Sequence, residues 1–134
     1  MRSPAYDTAA FLVLSGVAGA FGGGNGWPVF VGREPLAPVS VITCYDTGGP
    51  TGPLIDLRTP TIQVRVRAAG YDSGWQKINA VCEALMQPYY VAAESAEILG
   101  WELTSEPAFI GRDDKDRALF TANFQMLRDG AATA

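Results

Sequence analysis

Between Thr59 and Gln87 the chain reads TPTIQVRVRAAGYDSGWQKINAVCEALMQ. This stretch constrains the fold most, because its hydrophobic period changes within a few residues from that of a strand to that of a helix. From Thr61 to Ala68, the apolar residues Ile62, Val64, Val66 and Ala68 alternate with Thr61, Gln63, Arg65 and Arg67, the pattern of a strand with one dry face. Ala69-Gly70-Tyr71-Asp72 interrupts the alternation. Ser73 and Gln76 then have the spacing of a capping box, which predicts a helix start there. Trp75, Ile78, Val81, Cys82, Leu85 and Met86 are expected on its apolar side, Gln76, Lys77, Glu83 and Ala84 mostly opposite, and Pro88 ends it. A one-faced helix following a one-faced strand predicts a two-layer core.

At 134 residues the chain has the size of one domain that buries a core without help from metals or disulfides. Hydrophobic residues make up 48% and charged residues 18%, so the surface is lightly charged and the chain is not of the disordered class. The net charge of −4 argues against tight, sequence-independent nucleic-acid binding. There is no histidine, which removes Ser-His and Cys-His catalysis and histidine metal sites. Cys44 and Cys82 both lie on apolar periods, and buried free thiols are expected ahead of a disulfide.

At the N-terminus two readings stand side by side. Arg2, an apolar run from Ala9 to Val17 and Ala18-Gly19-Ala20 imitate a secretory signal, against which Asp7 counts. The other reading is a leading helix over residues 1–21, begun by Ser3-Pro4, with Tyr6, Phe11, Leu14 and Val17 or Ala18 at helical spacing and the glycines after Phe21 ending it. The apolar run is too short to span a membrane. Gly22 to Gly26 is glycine-rich but leads into a strand rather than a helix, so a hinge is expected and not a phosphate cradle. Val29–Val31 and Val39–Tyr45 read as strands.

Residues 47–60 form a long Gly/Pro loop whose apolar residues Leu54, Ile55 and Leu57 either tuck back on the domain or dock on a neighbour. No conformation follows for residues 91–99. Trp101 and Leu103 alternate with Glu102 and Thr104, and Ala108–Gly111 and Leu119–Leu127 flank a charged turn, the pattern of a hairpin. Phe120, Ala122, Phe124 and Met126 are its dry face. Asp113, Asp114 and Asp116 lack the glycine and distal glutamate of a calcium loop. Residues 131–134 read as a frayed tail. The order predicts a single α+β domain: a mainly antiparallel sheet of four to five strands, with the N-terminal helix and the central helix packed on one face. No catalytic residue, cofactor site or metal site is expected.

Three runs then carry a resemblance: Val39-Ser40-Val41-Ile42-Thr43-Cys44-Tyr45-Asp46-Thr47-Gly48-Gly49; Ile62-Gln63-Val64-Arg65-Val66-Arg67 with Tyr71 after it; and Ile110-Gly111-Arg112-Asp113 leading through Arg117 to Phe120-Thr121-Ala122-Asn123-Phe124. In their order and spacing the chain resembles the tail terminator and minor capsid proteins of long-tailed bacteriophages. The resemblance implies a non-enzymatic structural protein that forms a homo-oligomeric, hexameric ring, ends polymerisation of the tail tube protein and joins the tail to the head–tail connector protein. DNA would pass through the ring without specific binding, and no membrane would be involved. Assembly would take place in the host bacterial cytoplasm, with the protein ending in the virion tail or neck. The interface candidates are Leu54, Ile55 and Leu57 in the loop, Arg65 and Arg67 on the polar strand face, where a neighbour or solvent is expected, and Arg112 and Asp113 at the hairpin turn.

Two other readings stay open. A small cytosolic enzyme or ligand-binding domain would use a pocket lined by Trp75, Tyr89 and Trp101. A secreted domain would require the signal peptide to be real.

Overall fold

The computed structural model describes residues 3–22, 26–49, 57–86, 91–92 and 97–129. Two helices, α1 (Pro4–Leu14) and α2 (Tyr71–Leu85), accompany seven strands: β1 (Val29–Val31), β2 (Val41–Gly48), β3 (Leu57–Arg58), β4 (Thr61–Ala68), β5 (Val91–Ala92), β6 (Glu97–Arg112) and β7 (Ala118–Asp129). They form one sheet in the order β1-β2-β4-β7-β6-β5, with β3 pairing the end of β7. The β1–β2 pair is parallel and the others are antiparallel, so the sheet is mainly antiparallel and the fold α+β, as the sequence predicts.

The centre of the sheet is the β4–β7 pair, in unbroken register from Thr61 opposite Gln125 to Ala68 opposite Ala118. Its alternation is the expected one: Ile62, Val64 and Val66 lie opposite Phe124, Ala122 and Phe120, and all six are fully buried. These residues, Ile42 and Cys44 from β2, and both helices share one hydrophobic cluster. The helices therefore pack on the same face of the sheet.

Helix α1 begins as read, with Ser3 Oγ accepting the Tyr6 N–H at 3.0 Å and Pro4 at the first helical position. It ends earlier than expected. Ser15 caps it and Gly16 follows at φ +85°, a left-handed conformation that glycine adopts without steric cost. Its buried side is the expected one only in part: Phe11 and Ala18 are buried as expected and Ala5, Thr8, Ala9 and Leu12 are fully covered, whereas Tyr6 and Leu14 are exposed. Asp7 is also drawn inward and meets Arg128 of β7 at 2.5 Å.

Helix α2 starts three residues before the expected box. Its N-cap is Gly70, and Ser73 donates to the Gly70 carbonyl instead of accepting from the backbone, so the capping-box reading is corrected. Ile78, Val81, Cys82 and Leu85 are buried as expected, but Trp75 and Met86 are exposed. The position one turn before Ile78 is filled by Gly74, which sits against Phe120. Lys77 reaches back to donate to the Val17 carbonyl at 3.1 Å and lies 5.3 Å from the Trp27 ring centroid, tying the connection between α1 and β1 to α2.

The expected pair of short strands around Trp101 and Ala108–Gly111 is one strand, β6, with register shifts at four places. It runs with β7 into the predicted hairpin and its charged turn. Expectations for Tyr89 and for residues 50–56 and 131–134 lie outside the described residues.

Candidate functional site

Segment 33–39 covers the Arg67 end of the sheet's polar face. Arg67 points away from the helices, as alternation requires, yet it is only 2% exposed. Its Nη2 donates to the Pro38 carbonyl at 2.7 Å and its Nε to the Val39 carbonyl at 3.1 Å, while Nη1 lies 3.6 Å from Glu34 Oε1. Arg65 Nε approaches the other oxygen of Glu34 at 3.4 Å. Arg117 adds a third tie, donating to the Leu36 carbonyl at 2.6 Å. Burial, then the nearby Arg117 charge, lowers the Arg67 pKa from its ordinary value, with Glu34 opposing. The expectation of a solvated or neighbour-facing Arg67 is therefore corrected: it is an internal clamp. Removing it strands two carbonyls, so Arg67→Ala is expected to lose roughly 2–3 kcal/mol of stability in urea unfolding. Arg65→Ala, at a partly open ion pair, should lose under about 1 kcal/mol. Equal small losses in both variants would contradict the clamp.

Segment 33–39 carries Leu36 outward at 74% exposure and Val39 at 44%. Beside it Phe30, Val31, Arg33, Pro35 and Leu36 line an open groove of about 600 Å³ at the β1 edge. At the opposite edge, the end of β6 presents Phe109 and Ile110, 40% and 48% exposed. Phe109 stands 5.1 Å from Tyr71 and 5.3 Å from Phe120 between ring centroids, and Tyr71 and Trp75 extend this apolar surface onto α2.

Arg112 and Asp113 are both engaged within the hairpin turn. Arg112 donates to the Asp116 carbonyl at 3.1 Å, and Asp113 Oδ1 accepts from the Lys115 and Arg117 amides at 3.0 and 2.9 Å. Asp113 Oδ2 takes the Arg117 Nε–H at 2.6 Å. Burial raises the Asp113 pKa, but these hydrogen bonds and the Arg117 charge outweigh it and hold the carboxyl below its ordinary range. Leu57 pairs its backbone with Asp129, and its side chain, with Leu54 and Ile55, lies outside the described part.

Both cysteines are free and buried, as expected. Burial, and secondarily Asp46, pushes the Cys44 thiol up to about 12, and burial with Glu106 pushes Cys82 to about 11. Thiols whose pKa rises on folding stabilise the fold below the ordinary value of 9.0, and that stabilisation is lost as pH climbs from there through the folded values. Stability should fall above pH 9, and less steeply in a Cys44→Ala variant. At pH 8 a thiol reagent should label neither cysteine quickly in the folded chain and both after denaturation without reductant. Rapid labelling of the native protein would contradict this burial.

The aromatic pocket of the enzyme reading does not form from the residues described. Trp101 stacks near Phe11 at 5.0 Å and donates to Thr8 Oγ1 at 3.0 Å, whereas Trp75 faces Phe120. Among the described residues no group of three or more acidic, Cys or His side chains could hold a metal, and no helix is long and apolar enough to cross a membrane. Sequence reasoning did not single out Phe30, Leu36 or Ile110 as surface features. An isolated apolar residue in a short or irregular segment carries no period, though the Gly32-Arg33-Glu34-Pro35 break was the available hint.

Fold and surface together define a small α+β domain whose prominent features are apolar patches at two sheet edges. The family model of the bacteriophage tail terminator protein matches residues 10–129, and the chain belongs to that family, a class of structural virion proteins. Among solved structures it is similar to a chain in the virion of a native gene transfer agent (GTA) particle. The two share 16% identity with a TM-score of 0.61 over 96% of each chain, a likeness of fold. Comparison with curated proteins returns no match.

Proposed function

We propose that this protein is a non-enzymatic terminator of tail-tube growth. It forms a closed homo-oligomeric ring, hexameric by the family resemblance, on the end of a tube built from the tail tube protein, and there presents a surface to the head–tail connector protein. The family match over residues 10–129 carries this reading. Two unlike apolar surfaces on one sheet support it, since a head-to-tail contact repeated by a fixed rotation closes into a ring. The net charge of −4 suits a channel through which DNA passes without being held. Assembly takes place in the host cytoplasm and the ring ends in the virion neck. The loop carrying Leu54 and Ile55 is assigned to a subunit or tube contact, because its apolar side chains gain about 25 cal/mol per Å² when covered.

Deleting the gene should give overlong tubes and heads without tails. Tails of normal length joined normally to heads would end the proposal. Replacing residues 52–57 by a Gly-Ser link should weaken assembly in a folded subunit, and unchanged assembly would confine the loop to an internal role.

A further inference from the structure

Thr43 stands between Val41 and Tyr45 on the outer face of β2, and it is fully buried although the helices pack on the other side, over Ile42 and Cys44. Register sets it opposite Arg65 of β4, so the two side chains leave the sheet side by side. Glu34, from segment 33–39, meets the arginines of β4, with Oε1 3.6 Å from Arg67 Nη1 and Oε2 3.4 Å from Arg65 Nε. It is also close enough to β2 to act on Tyr45, whose phenol pKa is raised by burial first and by Glu34 next, with Arg65 and Arg67 opposing. Thr43 therefore lies among the groups that Glu34 faces. Three atoms of this cluster are buried and, among the described residues, have no hydrogen-bond partner: Thr43 Oγ1, Arg65 Nε and Glu34 Oε2. The 3.4 Å between the last two is an ion-pair distance whose alignment is too poor for a hydrogen bond.

We propose that these three atoms form a binding site for one ordered water molecule, which bridges segment 33–39 to β2 and β4. A buried polar atom left unpaired is costly, and three of them in one place call for a shared partner. The count of donors and acceptors selects that partner. Arg65 Nε–H can only donate, the Glu34 carboxylate oxygen accepts, and the Thr43 hydroxyl does either. Water accepts from the first, donates to the second and still has a hydrogen and a lone pair for the third, giving the three bonds usual for an internal water. A metal cation would meet the Arg65 and Arg67 guanidiniums, and a halide would meet the Glu34 carboxylate, so either ion gains some partners against a like charge. The water completes the fastening of the segment. Arg67 and Arg117 already hold the carbonyls of Leu36, Pro38 and Val39, and the bridge secures its Glu34 end to the sheet beneath.

The test uses the full-length protein, crystallised from chloride and from bromide at a resolution that shows ordered waters, and the isosteric variant Thr43→Val. The wild type should show a density peak about 2.7–3.2 Å from all three atoms, with no anomalous signal in bromide. In urea unfolding the variant should have a folding equilibrium constant roughly three- to tenfold below that of the wild type, the net worth of one hydrogen bond. The opposite sign is expected if the Thr43 hydroxyl is buried without a partner, because valine then removes a cost. A constant that rises or stays the same would therefore overturn the place of Thr43 in the bridge. An anomalous bromide peak at the site would overturn water in favour of an anion. Absence of any peak, whether or not Arg65 Nε turns directly onto Glu34 Oε2, would overturn the site itself, and this readout stands even where the variant fails to fold.

Discussion

Replacing Arg128 by methionine is expected to lower the unfolding free energy by about 3–5 kcal/mol, because it takes the guanidinium away from the Asp7 carboxylate inside the core. Both side chains are about 1% exposed, and their 2.5 Å contact joins the first helix to the last strand across 121 positions of sequence. The same argument makes the double change Asp7→Leu with Arg128→Met much milder than either single change. Two charges leave together, and apolar replacements of similar volume are often neutral or stabilising. Urea unfolding of the two single variants and the double variant checks this. A single-variant loss below about 1 kcal/mol would show that the pair reaches water. The pair also bears on the N-terminus. Residues 4–14 supply Ala5, Ala9 and Leu12 to the core, so a variant without them should not reach the native state.

The second large effect is expected at Phe120, whose ring is fully buried where Tyr71, Trp75 and Phe109 meet. Truncation to alanine should cost about 3–5 kcal/mol through lost burial and the cavity left behind. Its partner is Gly74. A Cβ at that position would lie 2.3 Å from Phe120 Cε1 and 3.2 Å from the Ala68 Cβ. In a solvent-facing helix Gly→Ala gains about 1 kcal/mol. Here overpacking against an enclosed ring should reverse the sign, giving a net loss of about 1–2 kcal/mol. Adding Phe120→Leu to Gly74→Ala should recover part of it, since the smaller side chain makes room. A Gly74→Ala variant more stable than the wild type would mean that the ring shifts freely.

These two sites show what the sequence makes legible and what it hides. The alternations of β4 and β7 were readable because one face of each central strand is dry, and period two survives wherever one face is buried and the other polar. The hairpin turn was readable for its run of charges. Helix α1 was placed correctly at its start, where Ser3 and Pro4 act locally. Its buried face was legible only in part: Phe11 is buried as its spacing suggests, but Ala5, Ala9 and Leu12 are covered in place of Tyr6 and Leu14, a choice set by the surface the helix packs on. Alternation puts Arg67 on the outward face of its strand, and the backbone agrees. What covers it is segment 33–39, brought there by chain path rather than by any local pattern. The same holds for the candidate surfaces. Leu36 and Phe30 lie in short or irregular segments, whereas Phe109 and Ile110 become a corner only because β6 is one long edge strand.

The proposed capping of a growing tube is tested by the length distribution of tubes polymerised from the cognate tail tube protein, imaged by electron microscopy with and without the purified protein. Substoichiometric protein, counted against tube subunits, should stop elongation, and capped tubes should carry one ring at one end. Tubes that keep lengthening at the same rate with the protein present, and show no added density at either end, would contradict it.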